Sequence, residues 1–447
     1  MALSTASSSS IKKIDPDDVL FNNINSTKII TLNRPSKLNS LNWSMIAKLK
    51  QRLADYSKRE NLTKLVIQKS NGRAFCAGGD VASCAINNTS GNIDDSISLF
   101  KEEYSLDYLL ATYPKPIVSF QNGITMGGGV GLSIHTPFRI ATENTRFAMP
   151  EMDIGFFPDV GTSFALNKVV PSSFGWYLAL TGENLNGWDN YYIGLSTHFI
   201  KAEKLNSLED SLVQLELSGD EGDYDKVNNL LESFSEPLPA GYKFKFSIDQ
   251  LKLIERIFNE DSTLEQIFED LSKEGSDFAL ATLATLNKKS PLSLKVALTV
   301  LQRGSRSDIK EALSRELTAA SEFMRDSDFN EGVSSKLIKK SKNLPQWKYK
   351  SSEQVTNKEI LRFVRINPKL NLEKHFNITF NQYPWNYGLP RFDEIKTLID
   401  QKLSKREIIR FLETHKIYKK KVGLKHHLDL VLQLKTELSG EKLKWKI

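Results

Sequence analysis

Cysteine is scarce in this chain: Cys76 and Cys84 are the only two among its 447 residues. Two thiols give no disulfide framework, which excludes the small disulfide-stabilised proteins and suits a reducing compartment. Long apolar runs are missing too, since no stretch approaches the roughly 18 residues that a membrane-spanning helix needs. The sequence therefore predicts a globular protein without a membrane span, and its length is enough for two or three domains.

The common signatures of bound metals and nucleotides are also missing. No group of His, Cys, Asp and Glu has the spacing of a metal site. The glycine-rich segments have neither the Lys-Ser/Thr ending of a phosphate-binding loop nor the G-x-G-x-x-G pattern of dinucleotide-binding folds. We therefore expect no metal and no cofactor. His135 fits a buried, hydrogen-bonded role as well as any other, and the pair His426 and His427 lies among lysines, which predicts a surface position.

Positive charge is unevenly distributed along the chain. The net charge is +6, yet residues 391–447 contain 15 Lys and Arg against 8 Asp and Glu, so they contribute +7 and the remaining 390 residues sum to −1. A basic segment on a neutral body is typical of proteins with an anionic partner, such as RNA or a membrane surface. A solvated helical tail rich in lysine explains the same count, and the sequence leaves both interpretations open.

The first 14 residues are rich in serine, with two lysines and no acidic residue. Transit peptides share this bias, but they also favour arginine and an amphipathic face, which are missing here. We therefore interpret residues 1–16 as either a targeting segment or a disordered one.

Strands and helices alternate in the next part of the chain. Apolar runs predict strands at Thr27–Leu32 and Lys64–Gln68, and three-to-four spacing predicts a helix that starts at Asn42 between them. A strand, a helix and another strand in this order indicate a layered α/β domain. A further strand at Ile117–Phe120 continues the pattern, so we assign residues 17–200 to an α/β core.

Helical spacing dominates after Phe199. It predicts a series of helices from Leu205 to Met324, which we assign to a helical region over residues 201–344. Trp347–Thr356 has the composition of a linker. Residues 345–447 then form a basic, mainly helical extension.

Two glycine-rich turns each follow a short apolar strand: Arg73–Asp80 (RAFCAGGD) and Gly127–Gly129. Convergent backbone amides in such turns can bind the negative charge that develops on an acyl oxygen. Tight turns alone also explain glycine runs, but two of them in this context favour an oxyanion site. Cys76 lies in the first turn without a histidine nearby in sequence, so we interpret it as a small packed residue rather than a nucleophile.

Two acids, Glu151 and Asp159, follow the second turn at a spacing of eight. Glu151 lies in an apolar segment after a proline, so its carboxyl group should be desolvated and its pKa raised. A carboxylate of that kind can act as a general base or a nucleophile near neutral pH. Helix capping or a salt bridge is the alternative for Glu151, and an ordinary Pro-Asp-x-Gly turn is the alternative for Asp159.

A third acid, Glu103, lies on a helix predicted over Asp94–Thr112. It borders the apolar stripe that includes Phe100, whereas Glu102 should point outward. A solvated surface position is the alternative for Glu103.

The segments FCAGGD, ITMGGGVGLSIH and FAMPEMDIGFFPDVG resemble those of the enoyl-CoA hydratase/isomerase (crotonase) superfamily. Within it, the chain resembles the 3-hydroxyisobutyryl-CoA hydrolase branch from about Val19 to about Leu344. The resemblance implies an α/β fold with a crotonase-like ββα spiral core, followed by a mainly helical C-terminal region. It also implies a homo-oligomer as one form of assembly, because crotonase relatives often form trimers.

By this resemblance, the amides of Gly79 and Gly128 bind the thioester oxygen, Glu151 drives the attack, and Glu103 and Asp159 complete the substrate-binding residues. Ordinary hydratases generally pair two glutamates, so an aspartate at position 159 favours hydrolysis over hydration. The implied substrate is 3-hydroxyisobutyryl-CoA, with 3-hydroxypropanoyl-CoA as a second one, in the valine catabolism of the mitochondrial matrix. Coenzyme A would then be part of the substrate and not a cofactor.

Cations near the first glycine turn are candidate contacts for the phosphates of coenzyme A: Arg34, Lys37 and Arg73. Some relatives in this branch are built into mitochondrial small ribosomal subunits, where a basic extension would contact phosphate without reading sequence. That role is compatible with enzymatic activity. Enoyl-CoA hydration or isomerisation is the remaining enzymatic alternative.

Overall fold

The structure is a computed structural model that describes residues 13–59, 62–370, 372, 378–439 and 442–445. Most of the segment interpreted as targeting or disordered, residues 1–16, lies outside these ranges. In chain order the strands are β1 (Val19–Ile24), β2 (Thr27–Leu32), β3 (Leu65–Ser70), β4 (Ala74–Cys76), β5 (Ile117–Gln121), β6 (Ile124–Met126), β7 (Phe138–Ala141), β8 (Arg146–Ala148), β9 (Leu185–Asn186), β10 (His198–Phe199), β11 (Thr436–Ser439) and β12 (Lys442–Trp445).

The α-helices that begin within the first 300 residues are α1 (Trp43–Lys58), α2 (Val81–Thr89), α3 (Ile93–Ala111), α4 (Gly128–Ile134), α5 (Thr162–Ala165), α6 (Ser172–Thr181), α7 (Gly187–Tyr192), α8 (Leu205–Gln214), α9 (Gly222–Phe234), α10 (Ile248–Ile257), α11 (Leu264–Glu274), α12 (Asp277–Leu286) and α13 (Pro291–Gly304). They are followed by α14 (Ile309–Arg325), α15 (Ser327–Val333), α16 (Asn357–Val364), α17 (Phe392–Asp400), α18 (Lys405–Thr414) and α19 (Leu424–Lys435).

From β3 to β8, consecutive strands alternate between two sheets. The larger sheet has the order β1-β2-β3-β5-β7-β10, and the smaller one has the order β4-β6-β8-β9. The pairs β3–β4, β5–β6 and β7–β8 therefore each place one strand in each sheet. Pairing is parallel from β2 to β7 and from β4 to β8, so the chain must return through helices between the pairs. This arrangement is the ββα spiral that the family resemblance implies.

Local sequence accounts for the elements that position the site. The strand predicted at Thr27–Leu32 forms with those bounds. Asn42 caps α1 by accepting a hydrogen bond of 2.8 Å from the Met45 amide, as its place before the apolar periodicity predicts. The predicted helix over Asp94–Thr112 forms as α3, one residue earlier at each end.

The basic extension packs against the core instead of leaving it. Arg139, buried in β7, donates a hydrogen bond of 2.7 Å to the Tyr383 hydroxyl. Trp385 donates its indole N–H to the His135 carbonyl at 3.1 Å. The segment predicted as a linker is irregular but also packed, since Trp347 donates its indole N–H to the Lys288 carbonyl at 3.0 Å.

A buried charge cluster fixes the extension to the helical region. Lys421, before α19, forms an ion pair with Glu232 of α9 and lies 3.1 Å from His198 Nε2. The Lys421 and His198 side chains are fully buried, and Glu232 is nearly so. Burial raises the pKa of Glu232, but the charges of Lys421 and His198 and their hydrogen bonds together outweigh burial and lower that pKa to about 2. The cluster therefore holds a paired anion in the interior.

The surface position predicted for both histidines of the His426–His427 pair is wrong for His427. His427 lies on the inner face of α19, is 2% exposed, and its Nε2 is 2.9 Å from the Pro390 carbonyl oxygen. The helix turns His426 outward and His427 inward, because neighbouring helical positions point about 100° apart. None of the helices within the described ranges is both long and apolar enough to cross a membrane.

Candidate active site

Two glycine-rich turns meet at one end of the smaller sheet. The first follows β4, where Leu41 donates its amide to the Gly78 carbonyl at 2.8 Å and receives the Asp80 amide at 2.7 Å. The second opens α4 at Gly128. A methyl group added to Gly128 would lie 3.4 Å from the Gly78 carbonyl carbon, so the two backbones are in contact. The fold thus brings together the two turns that the sequence places about 50 residues apart.

The amides of Gly79 and Gly128 are available to a ligand. Within the described part of the chain, neither donates a hydrogen bond to another residue. Gly128 is the first residue of α4, where a helix has no intrahelical acceptor for the amide. Buried or half-buried amides are normally paired, so two open ones in contacting turns indicate a place for an external acceptor.

Glu103 lies against both glycines. A methyl group on Gly79 would come within 3.5 Å of Glu103 Oε2, and one on Gly128 would overlap Glu103 Oε1. Glu103 is 2% exposed, which excludes the solvated alternative, and its Oε1 has no hydrogen-bond partner within the described residues. Burial, followed by the charge of Asp159, raises the pKa of Glu103 well above its ordinary value. Glu102 points outward to Lys50, with an N–O distance of 2.6 Å, as predicted.

Glu151 faces the same turns from the other side. It starts a short 3₁₀-helix, Glu151–Ile154, directly after Pro150. A methyl group on Gly127, whose φ is +49°, would lie 2.8 Å from Glu151 Oε1. Glu151 Oε2 is buried and has no hydrogen-bond partner in the described chain. Burial, followed by the charge of Asp159, raises the pKa of Glu151 well above its ordinary value, as the apolar sequence around it predicts.

Asp159 completes the group of acids. Its Oδ2 accepts a hydrogen bond of 2.6 Å from the Tyr104 hydroxyl of α3. Burial raises the pKa of Asp159 to about 7, and the bond from Tyr104 opposes the rise. Because the charge of Asp159 acts on both Glu103 and Glu151, the three acids form one electrostatic unit beside the open amides.

Two further buried acids surround this unit and were not singled out in the sequence. Asp107 lies one helical turn after Glu103, and burial followed by the charge of Glu103 raises its pKa. Glu316 of α14 accepts the Gly161 amide at 2.6 Å and the Ser163 amide at 3.1 Å. Both acids lie on apolar helix faces, and that spacing is the sequence signal that could have found them.

Both cysteines are buried, as the packed interpretation of Cys76 requires. Burial raises the pKa of Cys76 and of Cys84 to about 12, so neither thiol supplies a thiolate near neutral pH. His135 is also buried: its Nε2 is 2.8 Å from the Val160 carbonyl oxygen, and burial lowers its pKa to about 4. A neutral imidazole facing a carbonyl must donate from Nε2.

A cavity of about 200 Å³ lies beside the first glycine turn. Its lining includes Asp80, next to Gly79, and Leu99, one helical turn before Glu103. Arg34 pairs with Asp80 at 2.9 Å at its edge. The other candidate phosphate contacts, Lys37 and Arg73, are exposed.

This arrangement can stabilise an oxyanion and move a proton at the same place. Open amides bind the oxygen of an acyl group as it becomes negative. A carboxylate with a raised pKa beside them can attack the carbonyl carbon or take a proton from water. The site therefore suits chemistry on a thioester.

Comparisons with known proteins agree with this geometry. The enoyl-CoA hydratase/isomerase family profile matches residues 27–364. The small ribosomal subunit protein mS47 of Neurospora crassa is 38% identical over 97% of this chain and 88% of its own length. The mitochondrial 3-hydroxyisobutyryl-CoA hydrolase of Danio rerio is 41% identical over 74% of this chain and 85% of its own. The human enzyme of that name is 38% identical over 77% and 87%.

Two solved structures share the fold. An enoyl-CoA hydratase from Rhodobacter sphaeroides aligns with a TM-score of 0.69 at 30% identity, covering 80% of this chain and 99% of its own. A carnitinyl-CoA dehydratase from Mycobacterium thermoresistibile aligns with a TM-score of 0.71 at 28% identity and the same coverage. The chain belongs to the enoyl-CoA hydratase/isomerase family, in the branch that contains the 3-hydroxyisobutyryl-CoA hydrolases and the mS47 ribosomal proteins.

Proposed function

We propose that this protein is a mitochondrial matrix thioester hydrolase that cleaves 3-hydroxyisobutyryl-CoA, and also 3-hydroxypropanoyl-CoA, in valine catabolism. The relatives named mitochondrial 3-hydroxyisobutyryl-CoA hydrolase, at 38–41% identity, support the substrate and the compartment. One observation carries the proposal: Glu151 and Asp159 are both buried in a single electrostatic unit beside two open glycine amides. No cofactor enters the reaction, because coenzyme A arrives as part of the substrate.

In the proposed reaction, the thioester oxygen lies between the amides of Gly79 and Gly128. Glu151 either attacks the carbonyl carbon or takes a proton from a water that attacks it. The carbon–sulfur bond then breaks, coenzyme A leaves as a thiol after taking up a proton, and the hydroxy acid is released. Asp159 and Glu103 orient the substrate hydroxyl group and the water. Lys37 and Arg73, which are exposed, are candidate contacts for the phosphates of coenzyme A.

The two routes differ in the fate of one oxygen atom. Attack by Glu151 forms a mixed anhydride, and its hydrolysis can leave an oxygen from water in the Glu151 carboxyl group. Activation of water leaves that carboxyl group unchanged. A single turnover in oxygen-18 water, followed by mass spectrometry of the peptide that contains Glu151, tests for attack by Glu151, since only that route can place the label in its carboxyl group.

A substrate panel tests the activity. Purified protein is given 3-hydroxyisobutyryl-CoA, 3-hydroxypropanoyl-CoA and crotonyl-CoA, with free thiol release and loss of the enoyl absorbance as readouts. We expect thiol release from the two hydroxyacyl thioesters and no more than slow hydration of crotonyl-CoA. Glu151→Gln is the control for a contaminating thioesterase and should lower kcat by at least about a hundredfold. Preferred hydration of crotonyl-CoA, or equal activity of the variant, would overturn the proposal.

A second function has a separate observation in its favour. The alignment with mS47 of Neurospora crassa spans 97% of this chain, whereas the alignment with the Danio rerio hydrolase spans 74%. We propose that the extension also binds ribosomal RNA of the mitochondrial small subunit. Arg406 and Arg410 lie four residues apart on the exposed face of α18, and Lys419 and Lys420 are exposed beyond it. Cations in such a row neutralise phosphates without reading sequence.

Sedimentation tests the second function. The wild-type protein should migrate with mitochondrial small subunits at moderate salt, and the double variant Arg406→Glu, Arg410→Glu should shift to the free pool. The matched control reverses the charge of two other exposed lysines by Lys252→Glu on α10 and Lys288→Glu after α12. Migration of the wild-type protein only as a free pool, or an equal loss in the control, would contradict the proposal. The same gradient reports whether the free protein is a homo-oligomer, which we propose from the family.

A further inference from the structure

The turn that carries Asp159 has an unusual backbone. Val160 has a φ of +56° and Gly161 a φ of +79°, so two successive residues adopt the left-handed region. Glycine takes this conformation freely, but a β-branched valine does so only under strain. Strained backbone of this kind persists where surrounding contacts hold it, and it is concentrated at functional sites.

Glu316 holds this turn from helix α14. Its Oε2 accepts the Gly161 amide at 2.6 Å, and its Oε1 accepts both the amide and the hydroxyl group of Ser163. Glu316 is completely buried. Burial raises the pKa of Glu316 to about 8, and its hydrogen bonds with Ser163 and Gly161 oppose the rise. Two hydrogen bonds from amides and one from a hydroxyl group, on Gly161 and Ser163 shortly after the strained valine, hold the backbone in its left-handed form.

Two neighbours fix the other side of the turn. His135 Nε2 lies 2.8 Å from the Val160 carbonyl oxygen, and the Tyr104 hydroxyl donates to Asp159 Oδ2 at 2.6 Å. A methyl group on Gly161 would lie 2.5 Å from His135 Nε2, so the imidazole packs directly under the turn. The backbone after Asp159 and the carboxyl group of Asp159 are therefore held independently. Glu316 holds the backbone, whereas Tyr104 holds the carboxyl group.

We propose that Glu316 is a positioning residue, which accepts the Gly161 and Ser163 amides and so keeps the strained turn in the conformation that aims Asp159 at the hydroxyl group of the bound acyl chain. The inference rests on the proposed hydrolase activity. A positioning role for Glu316 differs from a purely structural role in one respect. Loss of Glu316 should impair recognition of the substrate hydroxyl group more than it impairs the attack on the thioester.

Substrate discrimination provides the measurement. The ratio of kcat/KM for 3-hydroxyisobutyryl-CoA to that for isobutyryl-CoA, which lacks the hydroxyl group, reports how well Asp159 is aimed. We expect Glu316→Gln to lower this ratio by roughly tenfold or more, since a site that hydrogen-bonds a substrate hydroxyl rejects the analogue without it strongly. Adding Val160→Gly to the Glu316→Gln variant should restore much of this ratio of kcat/KM values, because glycine adopts the left-handed conformation without strain. An unchanged ratio in Glu316→Gln would overturn the proposal.

Two further variants keep the test decisive. Glu232→Gln alters a buried glutamate of α9 that belongs to the Lys421 cluster and not to the candidate site. It should lower the melting temperature while leaving the ratio of kcat/KM values unchanged. Ser163→Ala removes only the hydroxyl donor and replaces Glu316→Gln if that variant does not fold. We expect the smaller loss of one contact to lower the ratio by roughly two- to fivefold. No change in Ser163→Ala under those conditions would also count against the proposal.

Hydrogen exchange separates this inference from the proposed function. In Glu316→Gln, the amides of Gly161 and Ser163 should exchange at least tenfold faster than in the wild-type protein, as seen by mass spectrometry of a peptide spanning residues 157–166. Unchanged exchange would overturn the holding role of Glu316 whatever the activity. If the wild-type protein releases no thiol from any hydroxyacyl-CoA, the proposed hydrolase activity is overturned. The proposal that Asp159 is directed at the substrate hydroxyl group then fails with it.

Discussion

The Tyr104 hydroxyl group donates a hydrogen bond of 2.6 Å to Asp159 Oδ2 and so joins helix α3 to a turn 55 residues later. Donation to a carboxylate stabilises its charged form. The bond therefore opposes the rise in the pKa of Asp159 that burial causes, and the pKa stands at about 7. Asp159 can thus change its protonation state within the physiological range.

Tyr104→Phe should move the pH dependence of the reaction. The charged form of Asp159 is lost as the pH falls through its pKa, so kcat/KM should rise with pH around neutrality in the wild-type protein. Without the donor, the pKa of Asp159 rises further and the ascending limb should move up by about one pH unit. Profiles of kcat/KM from pH 5 to pH 9 measure the shift. Tyr113→Phe, which removes a hydroxyl bonded to the Leu53 carbonyl, should leave the limb in place, and equal profiles for all three proteins would contradict the prediction.

Glycine should be required at position 128 but less so at position 79. A methyl group at Gly128 would overlap the Glu103 carboxyl group, whereas one at Gly79 would make an ordinary contact of 3.5 Å. We expect Gly128→Ala to lower kcat by roughly a hundredfold or more, since one displaced oxyanion donor has such an effect, and Gly79→Ala to be several times milder. Gly388→Ala is the control, because a methyl group there meets nothing closer than 3.7 Å. Equal losses at the two site glycines would refute the steric argument.

Asp159→Asn should stabilise the fold at neutral and higher pH. The pKa of Asp159 is about 7 in the folded protein and about 4 in an unfolded chain. The folded state therefore binds the proton more tightly, and the free energy of unfolding contributed by this group falls as the pH rises from about 4 to about 7. Asparagine does not titrate, so the gain in melting temperature should be larger at pH 8 than at pH 4. A gain that is the same at both values would show that the charge of Asp159 is not the cause.

Lys421→Ala should destabilise the protein much more than Lys420→Ala. Lys421 is the cation of the buried Glu232–His198 cluster, whereas the adjacent Lys420 is exposed. Removing one partner of a buried ion pair leaves an uncompensated charge and lowers the free energy of unfolding by about 3–5 kcal/mol. Removing an exposed lysine lowers it by about 0–1 kcal/mol. Urea denaturation of both variants measures the difference. Comparable midpoints would show that the cluster does not hold the extension.

Local periodicity was sufficient to predict much of the fold. The strand Thr27–Leu32 and the start of α1 at Asn42 followed from apolar alternation and from a capping residue. Strands β4 and β6, of three residues each, were not assigned, because so few residues show no periodicity. They form because the spiral supplies paired neighbours: β6 lies between β4 and β8, and β4 pairs with β6 at the edge of the smaller sheet.

The candidate site was predictable where a motif carried it. Glu103, Glu151 and Asp159 lie together as expected, because the glycine turns and acids occur in a recognisable order. Glu316 was missed because its partners, the amides of Gly161 and Ser163, are about 155 residues away and nothing local marks the contact. The burial of His427 was missed for a related reason, since a lysine-rich sequence hides which helix face turns inward.

The Lys421 cluster has a consequence for the folding of the newly synthesised chain. The family match ends at residue 364, yet among the described residues the cation that pairs with Glu232 beside His198 is Lys421. A nascent chain that has emerged through the family region still carries Glu232 without its cation, and chaperones and proteases act on incompletely folded chains of this kind. A recombinant fragment cut at residue 364 should accordingly aggregate on expression, and recovery of a monodisperse fragment would refute this order of assembly.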